Sequence, residues 1–153
     1  MKITEMLKQE FVLEELKGRN KGEVLAELSG VFKKAGMVLD SGEMLDILLD
    51  RERLGSTGIG EGVAIPHGKM AGLKEMVISF GRSREGIDFE AMDGKPVHLF
   101  FLLMAPENSA GLHLKVLAKI SRMLKDPVFR KKLMEAKLNG DLFAVISEKD
   151  DQI

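Results

Sequence analysis

From Val97 to Met104 the chain is apolar at every position except His98. A strand with one face in water alternates polar and apolar side chains, so a strand that is apolar on both phases must be covered on both sides. Helices are therefore required on both faces of the sheet that contains it. The rest of the pattern supplies them. Its spacing predicts about five helices and a mixed sheet of four or five strands, arranged as an α/β fold in a three-layer α/β/α sandwich. With 153 residues, 44% of them apolar, the chain is expected to form one domain over residues 1–153 and to bury about 70% of its unfolded surface.

The helices announce themselves by caps and periodicity. Asn20 followed by Glu23 is a capping-box pattern, and Val24, Leu25, Leu28, Val31, Phe32 and Ala35 recur at helical spacing until Gly36. Asp40 or Ser41 is placed to cap a second helix carrying Met44, Leu45, Ile47, Leu48 and Leu49, which ends near Leu54 and Gly55. Pro106 and Ser109 break the chain before a third helix from about Gly111 to Leu124. Asp126-Pro127 starts a fourth with Phe129 and Leu133, and Asn139 reads as the cap of a fifth with Leu142, Val145 and Ile146. Further strands are expected at Phe11-Val12-Leu13, at Val63-Ala64-Ile65, from Met76 to Phe80 and from Ile87 to Ala91. Arg84-Glu85-Gly86 reads as a turn and Asp93-Gly94 as a hairpin signal.

Charge and composition remove several classes of function. The 23 basic and 24 acidic residues leave a net charge of −1 without a basic stripe, so there is no electrostatic footprint for nucleic acid. No cysteine is present, which removes disulfides, thiolate metal sites and thiol catalysis, and fits a reducing cytoplasm. The apolar run from Leu99 to Ala105 is far shorter than the roughly 20 residues of a membrane-spanning helix, and the start lacks a signal-peptide core. The expectation is a soluble cytoplasmic protein with no membrane insertion.

Chemistry concentrates in Gly58-Ile-Gly-Glu-Gly-Val-Ala-Ile-Pro-His67-Gly68, a glycine-punctuated loop running through a short apolar segment to a histidine. Pro66 keeps Ile65 extended and Gly68 permits a sharp turn or a close approach, so the imidazole is presented stiffly at a strand end. A neutral histidine is a competent nucleophile near pH 7, which makes His67 a phosphorylatable or general-base residue, or else a turn histidine. Arg53 falls on the polar face of the second helix, as a surface pair with Asp50 or Asp46. Arg51 follows Ile47 by four and Leu48 by three and so turns toward the apolar side, as either a snorkelling arginine or an anion site. His113 shares its stripe with Val116, Leu117, Ile120 and Leu124 in the first turn of the third helix. Burial and the helix dipole both favour a neutral ring there, one whose N–H can donate to an anion, although core packing alone would also explain it. His98, in mid-strand, reads as a satisfied or edge-facing residue outside the site.

The run Leu49-Asp-Arg51-Glu-Arg-Leu-Gly-Ser-Thr-Gly-Ile-Gly-Glu-Gly-Val-Ala-Ile-Pro-His67-Gly, together with His113-Leu-Lys-Val-Leu-Ala-Lys-Ile, closely resembles the enzyme IIA domain of the fructose–mannitol family. These are components of the bacterial phosphoenolpyruvate-dependent sugar phosphotransferase system, and the class includes its nitrogen-regulatory paralogue. The resemblance spans Lys21 to Glu148. It implies that His67 is the phosphorylated histidine of a phosphotransferase, accepting the group through Nε2 from the phosphocarrier HPr and passing it to an enzyme IIB acting in trans. It also implies that His113 and Arg51 stabilise the phosphoryl group. No cofactor or metal is implied. Thr57 and the amides between Gly58 and Gly62 are candidate further donors to the phosphoryl oxygens.

A fructose-type sugar branch is expected, with a nitrogen-regulatory switch acting on partner proteins as the alternative. A metal hydrolase built on His67, His98 and His113 lacks any local metal spacing, and the glycine loop lacks the lysine of a P-loop. Both partners have to reach the same Nε2, so they are expected to share one small docking face. Ile59, Val63, Met70 and Leu73 are its candidate apolar contributors, with Val63 also placed to be core.

Overall fold

The computed structural model describes residues 1–37 and 41–153. Two short 3-10 turns, Ile3–Glu5 and Gln9–Phe11, lead into β1 (Val12–Leu13), α1 (Lys21–Lys34) and α2 (Ser41–Arg53). Three short strands follow, β2 (Gly58–Gly60), β3 (Val63–Ala64) and β4 (His67–Met70), and then two long ones, β5 (Val77–Ile87) and β6 (Val97–Pro106). The chain closes with α3 (Ala110–Lys125), α4 (Pro127–Glu135) and α5 (Asn139–Gln152). Among the described residues the mixed sheet has six strands in the order β1-β5-β6-β3-β2, with β4 also on β6, against the four or five expected. The extra ones are pieces of the glycine loop too short to carry a period.

β6 is the spine, as its two-phase apolarity required. It pairs antiparallel with β5 on one side and parallel with β3 and β4 on the other. Every residue from Leu99 to Ala105 is buried. The neighbouring strand shows how the two faces are divided. Ser79 on β5 donates to the Leu28 carbonyl of α1 at 2.7 Å, whereas Arg82 points the other way and donates to Leu133 at the end of α4. α1 and α2 pack together over one face, and α3, α4 and α5 form a second group over the other. Edge-on aromatic pairs, Phe80 with Phe101 and Phe89 with Phe100, line the two interfaces, since the consecutive Phe100 and Phe101 of β6 project to opposite faces of the sheet.

The caps work with small departures from expectation. Asn20 accepts from the Glu23 amide at 2.9 Å, but Glu23 returns its bond to Arg19 and not to Asn20. Asp126 caps α4 through the Val128 amide. Asn139 does not cap α5. It is the first helical residue, and Asp141 instead reaches back to the Leu138 amide. Ser41 likewise opens α2, and the alternative cap Asp40 lies outside the described residues. β5 differs most. It runs straight through the anticipated turn at Arg84-Glu85-Gly86, absorbing it as an irregularity between Arg82 and Ile87. The expected strand from Ile87 to Ala91 keeps its alternation, with Ile87, Phe89 and Ala91 buried, but beyond Ile87 it has no ladder.

Both ends of the chain are fastened by one buried cluster. Asp150 of α5 accepts from the amides of Ile3 and Thr4, each at 3.0 Å, and pairs with Lys119 of α3 at 2.6 Å. Lys119 also donates to the Met1 carbonyl at 2.7 Å. Burial by itself would raise the Asp150 pKa, but the Lys119 ammonium and the two amides outweigh it and hold the carboxyl below its ordinary value of 3.8. A carboxylate depressed in the fold confers stability that is fully present above the unfolded value and is lost as pH falls toward the folded one. Chemical denaturation between pH 5 and pH 2 should therefore show stability falling steadily below about pH 4, with a shallower fall in Asp150→Asn. Identical slopes for the two proteins would remove this cluster as the cause.

Candidate functional site

His67 opens β4 directly opposite Leu103 of β6, and the Leu103 amide donates to the Pro66 carbonyl at 2.9 Å. The ring is therefore set by the sheet and not by a free loop. Its Nδ1 lies 2.7 Å from the carbonyl oxygen of Ile65. A carbonyl only accepts, so the proton sits on Nδ1 and Nε2 carries the lone pair. The side chain is half-buried, and burial lowers its pKa below 6.5. Arg51 adds to that lowering, while the Ile65 bond and Glu52 oppose it. The result is a neutral imidazole at neutral pH with an available nucleophilic nitrogen.

His113 comes from the opposite direction, in the first turn of α3, which follows β6 directly. Its ring centroid is 5.5 Å from that of His67, with the planes at 67°. It is 5% exposed, and no group among the described residues bonds its Nδ1. Burial, then the positive charge that His67 and Lys69 can carry, lowers its pKa. A nearly buried ring nitrogen without a partner is costly, and it has hydrogen-bonding capacity to give to a ligand.

Arg51 lies on the flank of α2, one position away from where its phase placed it. The buried stripe of that helix is Met44, Leu48 and Glu52, and Arg51 rides beside it behind Ile47, half-exposed. That flank faces the site. A Cβ added to Gly68 would lie 2.9 Å from the Ile47 Cγ2, so the glycine lets α2 close onto β4 beside His67. Arg51 donates to the Gly55 carbonyl at 2.9 Å, which fixes one edge of its guanidinium.

Thr57 does not offer its donors to this space. Its hydroxyl donates to a Glu52 oxygen, and its amide donates to the other at 3.2 Å. Glu52 was missed as a site residue, although its spacing of four from Leu48 and eight from Met44 places it on the core stripe. A carboxylate there has to find partners. His98 is satisfied by the Ser83 carbonyl at 2.9 Å, apart from the pair formed by His67 and His113. Among the described residues, no group of three or more metal-ligating side chains is assembled to hold a metal. The apolar candidates divide unevenly: Ile59 is exposed, whereas Val63, Met70 and Leu73 belong to the core. The exposed apolar side chains nearest His67, His113 and Arg51 in sequence are Leu54, Leu112 and Leu114.

A neutral histidine at the start of a sheet strand, a second buried neutral histidine on α3 and an arginine on the flank of α2 offer a lone pair, a ring N–H and a cation to an anionic group. Residues 5–149 match the family described as phosphoenolpyruvate-dependent sugar phosphotransferase system, EIIA 2, and the chain belongs to that family. It is 42% identical to a nitrogen regulatory protein of Bradyrhizobium diazoefficiens, over 96% of this chain and 95% of that one. It is 39% identical to the fructose-specific EIIABC component of Bacillus subtilis, over 98% of this chain but only 24% of the length of that protein. The crystal structure of the nitrogen regulatory protein IIA-Ntr from Neisseria meningitidis superposes with a TM-score of 0.88 at 36% identity, covering 94% of this chain and 98% of that one. Among the described residues, no helix is long and apolar enough to cross a membrane.

Proposed function

We propose that residues 1–153 act as one phosphoryl-carrier domain, with His67 accepting the group from phospho-HPr and giving it to an enzyme IIB. The observation that carries this reading is the bond from His67 Nδ1 to the Ile65 carbonyl, which leaves Nε2 as the nucleophile. In the forward step the Nε2 lone pair attacks phosphorus, the donor's P–N bond breaks, and its electron pair returns to the donor imidazole. Nδ1 keeps its proton throughout. In the onward step the acceptor nucleophile attacks the same phosphorus and the Nε2–P pair returns to His67. Arg51 supplies a planar cationic donor and His113 a ring N–H to the transferring oxygens, where charge is greatest.

The sugar branch favoured is a fructose-type one, from the likeness to the Bacillus protein, whose name joins IIA to IIB and IIC functions. A regulatory role, in which phosphorylation of His67 alters binding to partner proteins, is the second reading. It is favoured by the end-to-end match to a nitrogen regulatory protein. Incubation with phosphoenolpyruvate, enzyme I and HPr, followed by a panel of IIB proteins, separates them. Rapid discharge to one IIB supports transport, discharge to none supports the switch, and failure to accept phosphate overturns both.

The two supporting residues can be tested separately. His113→Ala should still accept phosphate but pass it on about 10²-fold more slowly, because one transition-state donor is lost. Arg51→Lys should also slow transfer, since an ammonium cannot reproduce the two-pronged guanidinium contact. Single-turnover rates measure both, and an unchanged discharge rate in His113→Ala would return that residue to a packing role.

A further inference from the structure

An ion pair followed by a run of hydrogen bonds reaches His67 from two helices away. Lys21, the first residue of α1, pairs with Glu52 at 3.1 Å and also lies 3.3 Å from Glu90 and over the Phe89 ring. Glu52 holds the hydroxyl and the amide of Thr57. The Thr57 carbonyl accepts from the Ile65 amide at 3.1 Å, and the Ile65 carbonyl accepts from His67 Nδ1 at 2.7 Å. Thr57 and Ile65 bracket the β2–β3 hairpin, so the Glu52 carboxylate ties the base of that hairpin to the end of α2. The other side of the base is tied by Ser56, which donates to the Phe89 carbonyl at 2.6 Å.

We propose that Glu52 is a positioning residue for phosphoryl transfer, which with Lys21 and Thr57 fixes the Ile65 peptide and thereby the tautomer and aim of His67. The inference rests on the reading of His67 as the phosphoryl acceptor. The location of Glu52 asks for such a role. It is 7% exposed and sits in the last turn of α2, where the helix dipole disfavours a negative charge. A neutral acceptor would close the same turn without that cost. What the carboxylate adds is two acceptor oxygens held rigid by a lysine, one for each donor of Thr57. The stiffness is passed along Thr57 and Ile65 to the ring. Small displacements at a nucleophile cost large factors in rate, so a stiff support has a kinetic consequence.

Two variants test this: Thr57→Val, which removes one hydroxyl at constant shape, and Glu52→Gln, which removes the charge. The ring nitrogens of His67 are read by long-range proton–nitrogen NMR of the unphosphorylated protein. Transfer from phospho-HPr is followed in parallel. In the unaltered protein the Nδ1–H tautomer should stand alone. Both variants should show a mixture with the Nε2–H form, with kcat lowered about tenfold and KM within about twofold. Thr57→Ser, which restores the hydroxyl, should recover both the single tautomer and the rate. Should Glu52→Gln fail to fold, Thr57→Val and Thr57→Ser still decide the question. A folded Thr57→Val with an unchanged His67 tautomer overturns the proposal, as does a tautomer shift that leaves kcat untouched. If the unaltered protein accepts no phosphate, the carrier reading falls, while the ring spectra still judge whether Glu52 and Thr57 set the tautomer.

Discussion

In His67→Ala, phosphoryl labelling by phosphoenolpyruvate, enzyme I and HPr is expected to drop to background while the protein remains folded. The label on the unaltered protein should be labile in acid and stable in base, as a phosphoramidate is. The fold should survive because His67 is half-buried and, among the described residues, its ring bonds only to Ile65, while the Leu103 amide and the Pro66 carbonyl continue to hold β4 on β6. The pH dependence has a definite sign. Burial, reinforced by Arg51, holds the imidazole below 6.5, so the neutral ring persists to a lower pH than a free histidine would allow. Acceptance should therefore be flat through pH 7 and decline only below that ordinary value. Label remaining in His67→Ala, or a decline centred above pH 7, would place the acceptor elsewhere.

Arg82→Met is expected to cost about 3–5 kcal/mol of stability, lowering the melting temperature by roughly 10 °C. Arg82 is 1% exposed, and among the described residues no carboxylate forms an ion pair with it. Its guanidinium instead donates to three backbone carbonyls, those of Glu14 at 3.0 Å, Leu133 at 2.8 Å and Ala136. Two of these lie at the C-terminal end of α4, where a cation is favoured by the dipole and by carbonyls that no helical amide reaches. Methionine would fill much of the space but leave those acceptors dry. Arg82→Lys should lie between the two, because a single ammonium cannot span from Glu14 to Ala136. Denaturant titration of the three proteins measures it, and a loss below about 1 kcal/mol in Arg82→Met would show that water reaches these carbonyls.

The helices were legible because each buries one stripe, and because Asn20, Asp126 and Gly36 are punctuation that acts locally. β6 was legible from its lack of any polar phase. β5 was not. Arg84-Glu85-Gly86 has turn chemistry, yet pairing across β6 carries the strand through it, and Arg82, just before it, is the buried fastening of α4. Local propensity lost to tertiary context there. The proximity of His67 and His113 followed from the resemblance, since nothing in residues so far apart in sequence encodes a shared location. Thr57 and Glu52 show the opposite failure. The motif Ser-Thr-Gly drew attention to Thr57 as a free donor, when the acceptor for it lay five residues upstream on a helix face that periodicity alone would have exposed.

Both imidazoles take their position from β6. His67 is registered against Leu103, and His113 arrives on the helix that β6 runs into. Exposed apolar side chains, among them Leu54, Ile59 and Leu112, hang outside that frame. Descent with modification can therefore act on the two separately. A chain of this kind can change its outer surface, and with it the partners that surface would suit, while the spacing of His67 and His113 stays set by a strand that is buried from Leu99 to Ala105.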